Sequence, residues 1–331
     1  MSTTPEPSGY ETEPLVSVVM PARNADAYVD TAVESILHQT YHNLELLVAD
    51  DASTDQTRAV IDALPDPRIR RIHSDERLGY LRACNRLFEH ARGSLITFQD
   101  ADDVSHSQRL EKQVRLLLER PDLGLCGTWA RLVDAQGAQV GTDRRPVEDS
   151  AIRRTMQERN PFCGATILVR RTVMSAVGGY REAFHRFSFQ DYDWAWRLID
   201  HSHAENIPEE LYDYRQHAAS NSKQISVERA IGDSLVRELA RQRREQGHDC
   251  LERDEPAAFE RTVEELSRPY LLDPALLHRE YAARFLWAGF HAWAMRRAFA
   301  ALRMAPMDLR NLRLVLYCAR HIAFSRLGRV R

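Results

Sequence analysis

The chain has 331 residues, of which 44% are hydrophobic and 28% are charged, and its formal net charge is −3. This length and composition predict one large or two smaller globular domains and exclude a disordered, collagen-like or low-complexity chain. The charge is unevenly distributed, because residues 279–331 contain eleven arginines and two acidic residues, a net charge of +9 that leaves −12 on residues 1–278. An acidic body with a basic end raises the question of which anionic partner that end contacts.

The sequence carries no sign of a membrane span or of an export signal. No segment approaches the ~18–20 consecutive apolar residues that a span needs. Residues 1–14 lack the basic and apolar regions of a signal peptide, so we expect them to form a flexible tail. The five cysteines are far apart and form no CxxC pair, which argues against a disulfide framework or a zinc site. These features predict a protein of the reducing cytoplasm.

Apolar segments alternate with amphipathic ones over residues 15–119. We expect strands over residues 15–20, 44–49, 69–73 and 94–99, the first ending at Pro21. Helices are expected between them, the first one capped by Asp26. A last helix over residues 105–119 would bury Leu110, Val114, Leu117 and Leu118. Strand–helix alternation with short connections predicts an α/β fold with a mostly parallel sheet and helices on both faces.

The second half of the chain is less regular. Strands are expected over residues 123–133, 165–169 and 211–214, with a turn at Gly178–Gly179 and a helix over residues 191–200. Beyond about residue 225 the patterns are helical only, and they end in two helices over residues 281–302 and 307–320. We therefore divide the chain into a domain over residues 15–225 and a helical region over residues 226–331.

Polar clusters follow three of the predicted strands. They are Pro21–Asn24, Asp50–Asp51 and Asp100–Asp103. In open parallel sheets, ligands bind beyond the carboxyl ends of the strands, where these clusters fall. Three acidic residues within four positions repel one another unless a cation lies among them, and carboxylate oxygens suit Mg²⁺ or Mn²⁺. A solvated acidic turn is the alternative for such a short motif.

An ordered series of motifs matches one enzyme family. The series comprises Val18 to Asn24, Asp50 to Asp55, Gly79 to Asn85, Phe98 to Asp103, Gly178 to Glu182, Gln190 to Asp193 and Tyr214 to His217. In this order it resembles the family 2 glycosyltransferases over residues 15–225. The resemblance implies the GT-A nucleotide-diphospho-sugar transferase fold. It also implies an enzyme that moves a sugar from a nucleotide diphosphate donor to an acceptor hydroxyl, with inversion at the anomeric carbon.

The resemblance implies roles for individual residues. Donor binding would involve Pro21, Ala22, Arg23, Asn24, Asp51, Arg82, Asn85, Asp100 and Ala101. Among these, Asp51 would accept a hydrogen bond from the base. Asp102 would bind Mn²⁺ or Mg²⁺, with His217 as a second candidate metal ligand. Asp191 would be the general base, and capping the helix that it begins is its alternative role.

Three further residues are candidates for contact with the acceptor. They are Trp129, Gln190 and Trp194, although packing in the core is an equal alternative for both tryptophans. Gln190 also departs from the family, which usually has Glu before the base. A second departure is Arg77, two residues before Gly79, where the family often has Asn. The first departure bears on acceptor recognition and the second on donor contacts.

The predicted activity is that of a metal-dependent, inverting glycosyltransferase of cell-surface polysaccharide biosynthesis. Its expected substrates are a UDP- or dTDP-sugar and a glycan or lipid-linked saccharide acceptor. A catalytically silent nucleotide-sugar-binding or scaffold protein is an alternative, which the presence of both Asp102 and Asp191 disfavours. A sugar nucleotidyltransferase is disfavoured too, because it would need a glycine-rich loop after the first strand, where Pro21–Asn24 stands.

The basic C-terminal segment is similar to a single helical hairpin of the tetratricopeptide type. One such pair cannot bury its own apolar face, so it should pack on the catalytic domain or on another chain. Its arginines are suited to anionic lipid headgroups. Nucleic acid is not an expected partner, because no recognition motif accompanies the charge and the body is acidic. Peripheral contact with the inner face of the membrane and homo-oligomerisation are the two alternatives for this segment.

Overall fold

A mixed β-sheet organises the first part of the chain. The computed structural model describes residues 13–216 and 225–327, with the side chains as far as residue 324. The strands are β1 (Val16–Ala22), β2 (Leu44–Asp50), β3 (Ile69–Arg71), β4 (Leu95–Phe98), β5 (Val104–Ser105), β6 (Leu123–Val133), β7 (Gln139–Asp143), β8 (Leu168–Arg170) and β9 (His203–Arg215). The predicted tail over residues 1–14 lies outside the described residues except for Glu13 and Pro14, and His217 also lies outside them.

The strands lie in the order β3-β2-β1-β4-β8-β6-β9-β5, and β7 pairs with β6. The pairs β3–β2, β2–β1 and β1–β4 are parallel, whereas β8 is antiparallel to both β4 and β6. β6 and β9 are again parallel. The predicted α/β fold class is confirmed, with the parallel part of the sheet in the first hundred residues and a mixed part beyond it.

Seven helices accompany the sheet among the residues described. They are α1 (Val29–Leu37), α2 (Thr57–Ala63), α3 (Tyr80–His90), α4 (Arg109–Glu119), α5 (Asp149–Met156), α6 (Arg171–Val177) and α7 (Gln190–Asp200). Every residue of β1 and β2 is buried. Strands that are covered on both faces have near-continuous apolar sequences, which is why these segments could be recognised. The largest core cluster joins these strands to apolar residues of α1 and α4.

Several sequence predictions in this region are wrong in detail. β1 does not end at Pro21 but continues to Ala22, because β4 pairs with β1 only as far as Val19 and the proline costs no ladder bond there. Asp26 does not cap α1, since its carboxylate accepts a hydrogen bond from the backbone N–H of Gln56 at 3.4 Å. Leu118 is 48% exposed and lies outside the apolar face of α4.

The C-terminal part of the described chain is helical. Its helices are α8 (Val227–Gln246), α9 (Pro256–Leu272), α10 (Ala275–Trp287), α11 (His291–Met304) and α12 (Leu309–Leu327). The helix predicted over residues 281–302 is therefore two helices, because Gly289 adopts a φ of +80° and interrupts the segment. A separate apolar core includes Tyr281, Phe285, Leu286, Ala294 and Cys318.

The described residues form two compact units. Residues 13–185 and 189–216 make up the first unit, and residues 186–188 and 225–327 make up the second. The first unit contains the whole sheet, and the second contains α8 to α12. No helix among the described residues combines the length and the apolar character that crossing a bilayer requires.

Candidate active site

The loops after β1, β2 and β4 meet at one edge of the sheet. Ala22 pairs with Asp50, and Phe98 pairs with Val19, so these strands end close together. The backbone N–H of Asp51 donates to the carbonyl of Ala22 at 2.9 Å, which joins the first two loops. The structure thus brings together the polar clusters that the sequence places after these three strands.

The loop after β1 is held by the loop after β2. Pro21 and Ala22 are buried, whereas Arg23 and Asn24 are exposed. Asn24 has a φ of +48°, a left-handed conformation that asparagine tolerates better than most residues. Its side-chain oxygen accepts the backbone N–H of Thr54 at 2.9 Å. This bond fixes the position of the loop that leaves β1.

Asp51 clamps the turn that precedes α3. Its two carboxylate oxygens accept the backbone N–H groups of Leu78 at 2.6 Å and Gly79 at 2.9 Å. Gly79 has a φ of +85°, which only glycine adopts without strain. Each carboxylate oxygen has two lone pairs, so the Asp51 side chain keeps capacity for a further donor.

Two predicted donor-binding residues on α3 contact a segment near residue 180. The Arg82 Nε lies 2.8 Å from the Glu182 carboxylate, and about half of each side chain is exposed. The Asn85 side chain donates to the carbonyl of Tyr180 and accepts its N–H, both at 2.8 Å. Both contacts join α3 to the Gly178–Glu182 turn, so Asn85 has a structural role in addition to any contact with a donor.

The acidic turn after β4 combines buried and partly buried carboxylates. Burial and the nearby charge of Asp102 raise the pKa of Asp100 to about 7, although the Tyr80 hydroxyl donates to Asp100 at 3.0 Å. Asp103 is fully buried and accepts the backbone N–H of Arg215 at 2.7 Å. Burial, followed by the charges of its two neighbours, raises the pKa of Asp103 well above its usual range. Ala101 is buried between them.

This turn fits a divalent cation that is shared with a phosphate ligand. The residues described contain no cluster of three or more His, Cys, Asp or Glu side chains that could hold a metal ion alone. Asp100 and Asp102 are, however, close enough for their repulsion to raise the pKa of Asp100. Magnesium-type sites commonly use one or two carboxylates and complete the shell with phosphate oxygens and water. The donor set therefore suits Mg²⁺ or Mn²⁺ bound together with a diphosphate.

Asp191 lies in the first turn of α7 and is partly buried. Burial raises the pKa of its carboxyl, while the backbone N–H groups at the helix start, the charge of Arg145 and the Asn160 side chain all act to lower it. The Asn160 amide donates to Asp191 at 3.0 Å. A Cβ at Gly164 would lie 2.7 Å from the same carboxylate, so a larger residue there would displace Asp191.

Asp191 acts electrostatically on Asp100, the first carboxylate of the acidic turn. After burial and Asp102, the charge of Asp191 is a further cause of the raised pKa of Asp100. The structure thus brings Asp191 within electrostatic range of Asp100, although the two residues come from distant parts of the sequence. Gln190 begins α7 beside Asp191 and is partly exposed.

The two candidate tryptophans differ in their surroundings. Trp194 is completely buried, stacks on Phe88 with ring centroids 5.8 Å apart and donates its Nε1–H to the carbonyl of Gly178 at 2.9 Å. The prediction that Trp194 contacts an acceptor is therefore wrong, because no face of its ring is open. Trp129 is partly buried, and the Arg144 guanidinium lies 5.2 Å from its ring centroid. Its Nε1–H donates to the carbonyl of Arg145 at 2.8 Å.

Residues from other segments, which no sequence pattern indicates, support the site. Asn160 and Arg145 both act to lower the pKa of Asp191. The Arg145 guanidinium also donates to the backbone carbonyl of Asn160 at 2.7 Å. Tyr80 supports Asp100 from the start of α3. No spacing in the sequence links these residues to the carboxylates that they contact, because only the folded chain brings the segments together.

Comparisons with known proteins agree with this architecture. The family described as glycosyl transferase family 2 matches residues 17–178. EpsE of Bacillus subtilis (strain 168), whose name places it among the glycosyltransferases, is 32% identical over 207 residues, which cover 61% of this chain and 73% of EpsE. The O-antigen biosynthesis glycosyltransferase WbnJ of Escherichia coli is 29% identical over 238 residues, which cover 69% of this chain and 90% of WbnJ.

Solved structures of lower sequence identity share this fold. The structure of S. aureus TarS 1-349 in complex with UDP-GlcNAc is 16% identical and has a TM-score of 0.59, and the match covers 95% of this chain and 92% of that chain. At this level of identity the match shows the fold alone. The relatives and the matched family together show that this chain is a family 2 glycosyltransferase with the GT-A fold.

Proposed function

We propose that the enzyme transfers a sugar from a UDP- or dTDP-sugar to a hydroxyl group of a glycan or lipid-linked saccharide, with inversion at the anomeric carbon. The observation that carries the proposal is that Asp100, after β4, lies close enough to both Asp102 and Asp191 for their charges to raise its pKa. An inverting displacement needs charge compensation on the leaving-group side and a base on the acceptor side. Carboxylates from two separate segments meet this requirement.

The donor side would be formed by the loops after β1, β2 and β4. Asp51 lies at the end of β2 with lone pairs to accept an N–H from a pyrimidine base. The solved structure of TarS with UDP-GlcNAc, which has the same fold, supports a uridine diphosphate donor. Asp100 and Asp102 would hold Mn²⁺ or Mg²⁺, which would offset the negative charge that develops on the departing diphosphate.

The acceptor side would use Asp191 as the general base. The acceptor oxygen attacks the anomeric carbon while the bond from that carbon to the diphosphate breaks, and the electron pair of that bond leaves with the nucleoside diphosphate. Asp191 takes the hydroxyl proton in the same step. Burial raises the pKa of Asp191 toward the working pH, which favours proton transfer to a carboxylate. The Asn160 amide would keep the carboxylate in place.

The nature of the acceptor rests on the relatives. WbnJ is named for O-antigen biosynthesis, which supports a saccharide acceptor in the assembly of a surface polysaccharide. Such chains grow by addition of one sugar to a hydroxyl of the preceding sugar. The partly exposed Gln190, directly before the base, would contact that sugar.

A donor screen tests the proposal. Purified enzyme would be incubated with UDP-, dTDP- and GDP-sugars and a saccharide acceptor, with and without Mn²⁺, and nucleotide release would be measured. We expect turnover with a uridine or thymidine donor, dependence on the metal, and a product whose anomeric configuration in the NMR spectrum is opposite to that of the donor. Turnover without any divalent ion would contradict the metal site, and retention of configuration would contradict the single displacement.

A pair of variants on one helix tests the base. Asp191→Asn should lower transfer by about 10²–10⁴-fold, the usual contribution of a general base, while UDP binding is retained. Asp200→Asn is the matched control, because Asp200 is exposed at the other end of α7. Transfer by Asp191→Asn at the wild-type rate would refute the assignment of the base.

A further inference from the structure

The outward face of α12 exposes apolar side chains instead of polar ones. Asn311 and Cys318 are fully buried and define the inner face of the helix. The opposite face consists of exposed residues that the 3.6-residue period places on one side of the helix, namely Leu309, Leu312, Leu316, Tyr317 and Phe324. Leu316 is 61% exposed and Phe324 is 62% exposed. A helix that contacts only water carries charged or polar residues on this side, so the pattern indicates a partner.

Positive charges lie within the same face. Arg313 and Arg320 are exposed, and neither forms an ion pair with any residue that the structure describes. The Arg320 guanidinium lies 5.6 Å from the ring centroid of Phe324. Arg310 differs, because it is paired with Asp308 and Asp273. No acidic residue occurs after Asp308, so the face combines apolar groups with uncompensated positive charge.

The preceding helix shows the same composition. The exposed residues of α11 include Arg296, Phe299 and Arg303, which recur at helical spacing. Met307, in the connection between α11 and α12, is 92% exposed. Exposed arginines are therefore combined with large apolar side chains on both α11 and α12.

We propose that the outward face of α12 docks on the anionic surface of a phospholipid bilayer. Helices that lie in the membrane interface insert an apolar face at the headgroup boundary and hold anionic headgroups with Lys or Arg. The guanidinium groups of Arg313 and Arg320 match phosphate geometry, and Leu312, Leu316 and Phe324 would enter the boundary region. The inference deepens the proposed function where the acceptor is lipid-linked, but the docking does not depend on the enzyme's chemistry.

The charges distinguish a bilayer from two other partners. A second copy of the same face would bring Arg313 and Arg320 against their own equivalents with no acidic residue on the face to pair with them. A nucleic acid would use the arginines but would leave the leucines and Phe324 without an apolar environment. Of these three partners, the anionic bilayer is the one that matches both the apolar side chains and the arginines.

Vesicle sedimentation with the full chain tests the inference. The probes are vesicles of phosphatidylcholine alone and vesicles that contain roughly one-third phosphatidylglycerol. We expect binding to the anionic vesicles only, with loss of most binding at about 0.5 M NaCl, where charges are screened within a few ångströms. Arg313→Gln with Arg320→Gln should lower the partition coefficient by about 30-fold, because each interfacial arginine contributes about 1 kcal/mol.

Matched pairs of variants control for charge and for hydrophobicity. Arg92→Gln with Arg154→Gln removes two exposed arginines from the first unit and should leave vesicle binding unchanged. Leu312→Ser with Leu316→Ser should lower the partition coefficient by about 10-fold or more, since these side chains would leave the boundary region. Leu118→Ser with Val140→Ser changes equally exposed apolar residues elsewhere and should have no effect.

Three results would overturn the inference. The first is no binding to anionic vesicles, and the second is binding that Arg313→Gln with Arg320→Gln leaves unchanged. The third is a dimer, seen by light scattering, that Leu312→Ser with Leu316→Ser dissociates without changing vesicle binding, because the face would then be a self-interface. Asp191→Asn should bind vesicles as the wild type does. Failure of the proposed chemistry and failure of the docking are therefore separate results.

Discussion

Removal of the Asn160 amide is expected to move the acid limb of the pH–rate profile to higher pH. The amide donates to the Asp191 carboxylate at 3.0 Å and favours its charged form, against the burial that disfavours it. In Asn160→Ala the backbone N–H groups and the charge of Arg145 would remain to oppose the effect of burial on the pKa of Asp191. The pKa of Asp191 should therefore rise, and a base with a higher pKa is protonated over a wider pH range.

The distance that the acid limb moves follows from the lost hydrogen bond. A hydrogen bond to a charged group contributes about 1.5–3 kcal/mol, and a change of one in pKa corresponds to about 1.4 kcal/mol. The loss therefore predicts that the limb moves upward by about one to two on the pH scale, and water that enters the space left by the amide would bring the change toward the lower value. At a pH below the limb, kcat/KM should fall by about 10-fold if the limb moves by one and by about 100-fold if it moves by two. Above the limb, the variant should approach the wild-type rate.

The assay is kcat/KM for sugar transfer across the acid and neutral range, since this parameter reports the free enzyme. Asn311→Ala is the matched control, because Asn311 is a buried amide that donates to the carbonyls of Ala301 and Ala305 in the second unit. Both variants should have a lower melting temperature, but only Asn160→Ala should show the displaced limb. An acid limb that coincides with that of the wild type would refute the electrostatic role of Asn160.

Three other predictions concern the carboxylates of the first unit. Asp102→Asn should weaken Mn²⁺ binding in the presence of UDP, measured by titration calorimetry, and should abolish stimulation of transfer by the metal; unchanged Mn²⁺ affinity would contradict its role as a ligand. Asp100→Asn should stabilise the metal-free protein in urea unfolding at pH 8 by at most about 4 kcal/mol and have little effect near pH 4. The pKa of Asp100 is raised from 3.8 to about 7 in the folded state. The protonated side chain therefore contributes its full stability below the unfolded pKa, and this contribution is lost as the pH rises through about 7. Equal effects of the substitution at both pH values would contradict this assignment. Asp193→Ala should lower the free energy of unfolding by about 3–5 kcal/mol, because it removes the carboxylate that pairs with the buried guanidinium of Arg197. Glu182→Ala, which breaks the exposed pair with Arg82, should cost less than about 1 kcal/mol, and similar losses in the two variants would contradict the distinction.

The parallel part of the fold could be predicted because its signals are local. β1 and β2 are continuous apolar runs, as expected of strands that are buried on both faces. The errors arise where distant segments decide the outcome. Ser105 pairs with Tyr212 of β9, so the segment predicted as the start of α4 is partly strand. Gly289 interrupts an apolar pattern that is otherwise continuous through α10 and α11, and periodicity does not report φ angles.

The candidate site was predictable to the extent that it lies at strand ends. Asp51 directly follows β2 and Asp100 lies two residues after β4, so the topology places both at one edge of the sheet. The order of the motifs added Asp191. The contacts that adjust these carboxylates come from residues distant in sequence, such as Asn160 and Tyr80. Trp194 is the opposite case, in which the sequence suggested a site residue that the fold uses in the core. It lies beside a motif but is buried in an aromatic cluster with Phe88.

The motif at the start of α7 combines a functional carboxylate with a structural one. Asp191 and Asp193 are two positions apart, which turns them by about 200° around a helix and onto opposite faces. Asp191 is partly buried at the site, whereas Asp193 is fully buried and binds the guanidinium groups of Arg181 and Arg197. A motif match alone does not reveal this division, which the burial and the partners of each carboxylate establish.

The structural carboxylate, Asp193, helps to set the position of the functional carboxylate, Asp191. Asp193 fixes Arg181 at the end of the Gly178–Glu182 turn, and Asn85 of α3 binds the same turn through the backbone of Tyr180. The same helix α3 carries Tyr80, whose hydroxyl donates to Asp100. These hydrogen bonds, together with the backbone of the turn and of α3, connect the start of α7 to the acidic turn. Because each of these hydrogen bonds is buried or partly buried, the fold itself constrains the separation of the proposed base from the proposed metal site.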